Sequence, residues 1–289
     1  MPLDVPGSRP DAPRIGLLAE RRYLSQPQPA GLSSALRGQG CVVDVLVAEE
    51  IAGVGNDPAG WRGYDAVVAR GRSAELLELL AGAQRVGVPT LNTADSVRRV
   101  LDKGRMGAVL AGAGVPVPRT YRGPLESLPR GGGYRFPLIC KPVTGDNARG
   151  IRVVRSTAEL AALDWPEPVA VVQELLPSDG YDLKLYGIGR SVWAVRRRSP
   201  LLSPASASAV ARPASPGLRA LAHRCALLFG LSLYGVDCVA GPRGPVVIEV
   251  NDFPNYVGVP DSDQLLAEHV LRVAAAAPCS ERTAQCASR

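Results

Sequence analysis

The sequence predicts an α/β (α+β) protein in which a small lobe built on a parallel sheet precedes a longer region of strands and helices. Between residues 14 and 91, short apolar strands alternate with helical stretches over short links, which is typical of a parallel sheet. Further along, strand-length segments are joined by glycine-bearing turns, which is typical of hairpins. The 289 residues, 46% of them hydrophobic and 21% charged, suffice for two or three lobes with a substantial core.

The composition excludes several classes of protein. No apolar run is long enough to span a bilayer, and the N-terminus lacks a signal-peptide pattern, so we expect a cytoplasmic protein with no membrane partner. The net charge is +6, but aromatic residues are only 5% and no basic stripe is present, so we expect no nucleic-acid partner. The cysteines lack metal-type spacing, and strand alternation makes Cys140 and Cys238 reduced core residues. His223 and His269 both lie in helix-like segments, which argues against histidine-based nucleophilic catalysis.

The first elements define an N-terminal α/β domain over residues 14–91, after a proline-rich tail at residues 1–13 that we expect to be disordered. Ser73 can N-cap a helix whose leucines recur with a 3.6-residue period. The other expected elements are strands at Arg14–Ala19, Cys41–Val47, Asp65–Arg70 and Val88–Leu91, and a helix at Gly31–Gly38.

Residues 92–115 predict two helices, the second from about Asp102 to Ala113. Lys103 would lie near the start of that helix, where its charge opposes the macrodipole and needs compensation. It is either a functional cation or a solvated surface lysine.

Phe136–Val154 predicts a strand that ends at Lys141, a flexible loop over Thr144–Gly150, and a second strand. Backbone N–H groups of such a loop can bind phosphate oxygens while the lysine supplies a point charge. The segment lacks the ending of a Walker A loop, and a plain hairpin loop is the alternative.

Val169–Leu176 is expected to be a buried strand, followed by a hairpin in which Asp182, Lys184 and Tyr186 share one face. Arg196, Arg197 and Arg198 end the second strand of that hairpin, and a solvated charged edge is the alternative to a functional cluster. Residues 199–217 form a long loop that is rich in Ser, Ala and Pro, and an amphipathic helix follows at about 218–229.

Tyr234–Pro260 contains a predicted hairpin whose apolar pattern is interrupted by Asp237, Glu249 and Asn251. If its turn has an odd number of residues centred on Arg243, Asp237 lies opposite Glu249, and Asn251 shares their face. Two facing carboxylates and an amide suit Mg²⁺ completed by substrate phosphates, since like charges repel unless a cation lies between them. The alternative is an edge hairpin whose polar residues face water. A final helix, Asp261–Ala275, precedes a polar tail at 277–289 that we expect to be disordered.

In their order and spacing, these segments resemble the ATP-grasp fold and, within it, RimK-type carboxylate–amine ligases. The matching segments are DAVVAR, VPTLNTADSVRRVLDK, LAGAGVPVPRTY, VVQELLP and EVNDFPN, and the resemblance covers roughly residues 14–276. It implies a Rossmann-like pre-ATP-grasp domain over residues 14–91 and an ATP-grasp domain over 92–276. In the latter, a small lobe at about 119–176 and a large lobe at about 177–276 would sandwich ATP.

The resemblance also implies a role for each candidate residue. The nucleotide would be bound by Lys103, Lys141, Thr144, Gly145, Gly150, Gln173, Glu174, Leu175, Leu176, Asp182 and Lys184. Within that set, the segment from Gln173 to Leu176 would line the adenine slot, and Asp182 would contact the ribose. Two Mg²⁺ ions, or Mn²⁺, would be held by Asp237, Glu249 and Asn251. Arg198, Lys141 and Arg212 would act on the transferring phosphoryl group or the substrate acid.

The implied reaction converts a carboxylate to an acylphosphate with ATP and then forms an amide with an amine. The substrates would be small molecules or peptides, and a homo-oligomer is compatible with the sequence. The segment 203–216 departs from the RimK-type pattern after the arginines, where Arg212 would replace part of it. Two alternatives remain: a kinase of the same fold that phosphorylates a hydroxyl of a polyanion, as inositol polyphosphate kinases do, and a non-catalytic nucleotide-binding module.

Overall fold

A computed structural model describes residues 12–51, 58–129, 133–145, 149–199, 210–241 and 243–276. Both predicted tails, apart from residues 12 and 13, lie outside these ranges, as do the tip of the loop after Lys141 and most of the loop predicted at 199–217. Within the described ranges, none of the helices has the length and apolar character needed to cross a membrane.

The elements follow the predicted order, with bounds that differ by a few residues. The strands are β1 Arg14–Ala19, β2 Val42–Val47, β3 Ala66–Arg70, β4 Thr90–Leu91, β5 Thr120–Gly123, β6 Leu138–Pro142, β7 Arg152–Val154, β8 Ala170–Glu174, β9 Tyr181–Ile188, β10 Ser191–Arg198, β11 Arg212–Pro213, β12 Leu233–Gly241 and β13 Gly244–Asn251. The helices are α1 Pro27–Gly38, α2 Ala48–Ile51, α3 Pro58–Trp61, α4 Ala74–Arg85, α5 Ala94–Leu101, α6 Lys103–Gly112, α7 Thr157–Ala161, α8 Pro216–Phe229 and α9 Ser262–Ala276.

The described residues form two compact units, one within residues 12–93 and 261–276 and the other within residues 94–260. In the first unit, β2, β1, β3 and β4 form a parallel sheet in that order, which confirms the predicted sheet type. Ser73 caps α4 by accepting a hydrogen bond from the N–H of Leu76 at 3.2 Å, also as predicted.

Helix α9 belongs to the first unit, whereas the sequence placed it in the large lobe at the end of the chain. It packs on α1 and β3 through Leu266, Ala267 and Val270, which are buried. Gln39 Nε2 donates to Gln264 Oε1 at 3.1 Å along the same contact. An amphipathic helix packs with its apolar face against a complementary apolar surface, and the order of elements in the chain does not specify which surface that is.

The second unit contains two antiparallel sheets. The smaller sheet has the strand order β5-β8-β6-β7, and the larger has the order β11-β10-β9-β12-β13. One face of the larger sheet packs on α8, where Ala222, Cys225 and Phe229 meet strand residues such as Leu185 and Val236 in a buried core. Because side chains alternate along a strand, the polar residues of β9, β12 and β13 lie on the opposite face.

Strands β12 and β13 pair as predicted, with Asp237 opposite Glu249, but the cause is not an odd-numbered turn. The strand pair next to the turn is Gly241 with Gly244, so the number of residues in the turn is even. The pairing then continues without a shift to Cys238 with Val247. The next pair is Asp237 with Glu249, so Ile248 is the extra residue of a β-bulge. The bulge therefore sets the register that the site depends on.

Candidate active site

Three lysines converge in the second unit from three different elements. Lys103 is the first residue of α6, Lys141 lies on β6, and Lys184 lies on β9. These are all the lysines in the chain, since the other 30 of its 33 lysine and arginine residues are arginines. The carboxylates nearest to them are Asp182, Asp237 and Glu249.

The position of Lys103 follows from the start of α6. Asp102 is the N-cap, and its carboxylate accepts hydrogen bonds from the N–H groups of Gly104 and Arg105 at 3.0 and 2.9 Å. Lys103 Nζ lies 3.4 Å from Glu249 Oε1 and donates to the carbonyl of Gly145. These two acceptors supply the compensation that an ammonium group needs at the positive end of a helix.

Lys141 is held inside the site by an amide. Its Nζ donates to Gln173 Oε1 at 2.6 Å, and Gln173 Nε2 donates in turn to Thr120 Oγ1 at 3.0 Å. Lys141 is only 7% exposed, and burial is the main cause of a lowered pKa for its ammonium. The charge of Glu249 opposes that shift of the Lys141 pKa, and the charge of Lys103 adds to it.

Lys184 forms the tightest ion pair of the site. It lies opposite Asp237 in the register of β9 and β12, and its Nζ is 2.7 Å from Asp237 Oδ2. Burial alone would lower the pKa of Lys184, but the charge of Asp237 and its hydrogen bond raise it overall. Two residues along β9, Asp182 is 5% exposed, and its pKa is raised chiefly by burial, although Lys184 and a hydrogen bond with Ser199 act against the shift.

Asp237, Glu249 and Asn251 share one face, as the sequence predicted. Lys184 lies on the same face, opposite Asp237. Two carboxylates and an amide are the hard oxygen donors that Mg²⁺ prefers. In the part of the chain that the structure describes, no group of three or more His, Cys, Asp or Glu side chains could hold a metal. This donor set falls short of an octahedral shell, so water and phosphate oxygens would have to complete it. The residues therefore fit a magnesium site shared with a nucleotide.

Both predicted catalytic arginines lie on the other face of the larger sheet. Arg198 pairs with Tyr181, and Arg212 on the edge strand β11 pairs with Ala194, which packs in the core under α8. Both pairs belong to the face opposite Lys184, and both arginines are exposed. The structure therefore does not bring either arginine to the face that carries Lys184.

Arg197 lies on the face of the site instead. It is in register with Asp182, and its guanidinium hydrogen-bonds Tyr186. The sequence contained the signal for this residue. A two-residue turn between β9 and β10 fixes the parity of the hairpin, and it places Arg197, not its neighbours, beside Asp182.

The segment predicted to line the adenine slot runs along the end of β8. Gln173 uses its side chain to hold Lys141, and Glu174 Oε1 accepts from the N–H of Arg135 at 3.1 Å. The N–H of Leu175 donates to the carbonyl of Pro137 at 2.9 Å, so this donor is already used by a backbone hydrogen bond within the protein. Leu176 follows, and it is half-buried.

The loop predicted over the phosphates is described at its two ends. Thr144 and Gly145 follow β6, both are exposed, and the carbonyl of Gly145 contacts Lys103. Gly145 and Gly150 have φ angles of +120° and +73°, which favour glycine. The intervening residues 146–148 lie outside the described ranges.

No protein-family model matches the chain, but curated proteins and solved structures do. A protein of Hydrogenovibrio crunogenus named "probable alpha-L-glutamate ligase" is 31% identical over 226 residues, which span 70% of this chain and 73% of the relative. A RimK-domain ATP-grasp protein from Sphaerobacter thermophilus is 25% identical, with a TM-score of 0.67 over 89% of this chain and 99% of the other.

The ATP-grasp ligase PsnB, solved with a minimal precursor, Mg and ADP, has the same fold. It is 21% identical, with a TM-score of 0.69 over 90% of this chain and 97% of the other. The sequence identity to the Hydrogenovibrio protein, the coverage of both chains and the likeness of the fold to the Sphaerobacter protein all indicate the same family. The chain belongs to the RimK-type ligases of the ATP-grasp fold and is an ATP-dependent carboxylate–amine ligase.

Proposed function

We propose that this ligase phosphorylates a substrate carboxylate with Mg²⁺-bound ATP and then joins the acyl group to the amine of an amino acid. The main support for the proposal is that lysine ammonium groups lie close to carboxylate groups within the second unit. Lys103 approaches Glu249 at 3.4 Å and Lys184 approaches Asp237 at 2.7 Å, and Lys141 is buried beside them. This arrangement suits a triphosphate, whose charge needs cations on one side and metal ligands on the other.

For the nucleotide, Lys103 and Lys141 would bind phosphate oxygens, and Lys184 would join them. The loop that begins at Thr144 would cover the phosphates with backbone N–H groups. Asp182 would accept hydrogen bonds from ribose hydroxyls, in line with its burial among donors such as Ser199. The end of β8, from Gln173 to Leu176, would line the adenine pocket.

For the metal, Asp237, Glu249 and Asn251 would hold two Mg²⁺ ions, with Mn²⁺ as a substitute. Bound Mg²⁺ would offset charge on the phosphate oxygens as the phosphoryl group moves. The proposal draws support from the register that puts these three residues on one face, and from PsnB, which was solved with Mg and ADP.

In the reaction, a carboxylate oxygen of the acid attacks the γ-phosphorus of ATP. The bond between that phosphorus and the oxygen that bridges the β- and γ-phosphates breaks, and ADP leaves. The amine nitrogen then attacks the acyl carbon, phosphate leaves with its electron pair, and the nitrogen loses a proton to solvent. Arg197, on the face that carries Asp182, would stabilise the transferring group or the acid. The lysines orient the phosphates, so positioning and charge stabilisation account for the catalysis.

The relatives narrow the search for substrates. The Hydrogenovibrio protein is named a probable alpha-L-glutamate ligase, and PsnB was solved with a precursor peptide. We therefore propose L-glutamate as the first amine to test, with amino-acid and peptide carboxylates as the acids.

The test combines ATP, Mg²⁺ and a panel of acids with hydroxylamine, a strong nucleophile that traps acylphosphates as hydroxamates. We expect hydroxamate, ADP and free phosphate in equal amounts, each dependent on the acid. Asp237→Ala and Glu249→Ala should lose turnover while keeping the fold, as checked by circular dichroism. Asp95→Ala is the matched control, because Asp95 is an exposed acid that forms an ion pair with Arg99 on α5. Phosphate retained on an alcohol, with none released, would instead identify a kinase.

A further inference from the structure

The carboxylates proposed to hold the metal are already in contact with ammonium groups. Lys184 Nζ is 2.7 Å from Asp237 Oδ2, and Lys103 Nζ is 3.4 Å from Glu249 Oε1. All four side chains are less than one quarter exposed, so water screens these pairs less than it screens surface pairs. A divalent cation and an ammonium group compete for the same carboxylate oxygen, because two cations at such a short distance repel each other.

We infer that Lys184 makes metal binding depend on the nucleotide: it keeps Asp237 from binding a free divalent cation and gives it up when a triphosphate is bound. This inference rests on the proposed function, because it assumes that Asp237 is a metal ligand. A free divalent cation would have to displace or repel the Lys184 ammonium. A nucleotide brings phosphate oxygens that can accept the same ammonium, so Asp237 becomes available as the metal arrives.

Lys184 is better placed for this role than the other two lysines. Strand pairing puts it directly opposite Asp237, so the contact is set by the backbone register as well as by the side chain. Lys103 is farther from its carboxylate and also donates to the carbonyl of Gly145. Lys141 makes its closest contact with the neutral oxygen of Gln173.

The residue type supports the same conclusion. The chain uses arginine at 30 of its 33 lysine and arginine positions and keeps lysine only at 103, 141 and 184. An ammonium is a compact charge on a flexible stem, whereas a guanidinium forms a planar fork that prefers a fixed carboxylate partner. A cation that must exchange one partner for another is better served by lysine.

The test measures metal binding without turnover, in the full-length protein. Binding of Mn²⁺ is followed by the loss of the electron paramagnetic resonance signal of the free ion, with and without a non-hydrolysable ATP analogue. Without nucleotide, we expect Lys184→Met and Lys184→Gln to bind Mn²⁺ about tenfold more tightly than the wild type. Lys103→Met should have a smaller effect, because its pair is longer. Equal Mn²⁺ affinity of the wild type and both Lys184 variants without nucleotide would overturn the inference.

A second measurement uses the wild type, so it does not depend on how a variant folds. Lysine labelled with ¹³C at the ε position gives one signal for each of the three side chains, which single substitutions assign. We expect Mg²⁺ alone to leave the Lys184 signal in place and the ATP analogue to shift it. A shift with Mg²⁺ alone that matches the shift with nucleotide would refute the inference. Failure of the wild type to bind Mn²⁺ even with the analogue would instead refute the proposed metal site.

Discussion

Asp102 links the stability of α6 to the placement of Lys103, and replacing it tests both. Its carboxylate caps two N–H groups at 3.0 and 2.9 Å, and two nitrogens of Arg122 lie within 2.8 Å of it. An N-cap contributes about 1 kcal/mol and a partly exposed ion pair about 0.5–1 kcal/mol, so Asp102→Ala should cost about 2 kcal/mol of unfolding free energy. Asp102→Asn keeps a capping oxygen and loses only the charge, so it should cost about 0.5–1 kcal/mol.

The assay is urea-induced unfolding followed by circular dichroism. With a slope of about 3 kcal/mol per molar urea, Asp102→Ala should lower the midpoint of the transition that reports the second unit by roughly 0.7 M. Affinity for a non-hydrolysable ATP analogue should fall in the same order, because a frayed first turn no longer holds Lys103. Asp95→Asn is the matched control, since Asp95 forms an exposed i,i+4 pair with Arg99. It should shift stability by less than about 0.5 kcal/mol.

The pH dependence has a definite sign. Burial alone would raise the pKa of the Asp102 carboxyl, but the hydrogen bonds from Arg122 and from the backbone of Arg105 and Gly104 lower it overall. A lowered folded-state pKa means that the charge-dependent stability is present above the unfolded value of about 3.9 and is lost as the pH falls through the folded one. The difference between the wild type and Asp102→Asn should therefore shrink on acidification. The reasoning is refuted if Asn and Ala are equally destabilising at neutral pH, or if the gap persists in acid.

Three further substitutions test the site and its support. Arg197→Gln should lower kcat/KM by about 10²–10³-fold, as loss of one charge-stabilising donor does, whereas Arg198→Gln should stay near wild type in the hydroxamate assay; equal losses would contradict the assigned faces. Lys141→Met should weaken ATP-analogue binding by about tenfold or more in calorimetry without lowering the melting temperature, because it removes an ammonium that is costly to bury. Gly187→Ala should cost about 1–3 kcal/mol, since a Cβ there would overlap the ring of Tyr234, and unchanged thermal stability would count against that packing.

Much of the site was predictable because it depends on local sequence rules. Strand alternation placed Asp182 and Lys184 on one face, and the predicted strand end located Lys141. The opposition of Lys103 to the helix dipole correctly indicated that this residue needs acceptors, which Glu249 and Gly145 provide. These inferences need only the period of a strand or the polarity of a helix.

The missed features are those in which one residue changes parity or in which distant segments meet. Choosing Arg198 over Arg197 reverses the face of the sheet, and the register across the turn decides between them. The packing of α9 on α1 depends on surfaces that are more than 200 residues apart in the chain. Sequence periodicity describes each element, but it does not report which partner an apolar face finds.

Ile248 shows how the core and the site are reconciled within a single strand. Val247 and Val250 are both buried under α8, although residues three apart on a regular strand face opposite sides. The bulge at Ile248 restores the alternation, so that Val250 pairs with Val236 in the core while Glu249 pairs with Asp237 on the face of the site. If β13 continued in the register of its turn, Asp237 would face Ile248, and Glu249 would point into the apolar core beside α8. Burying that carboxylate without a partner would cost several kcal/mol, so the stability of the core and the pairing of the metal ligands favour the same irregular register.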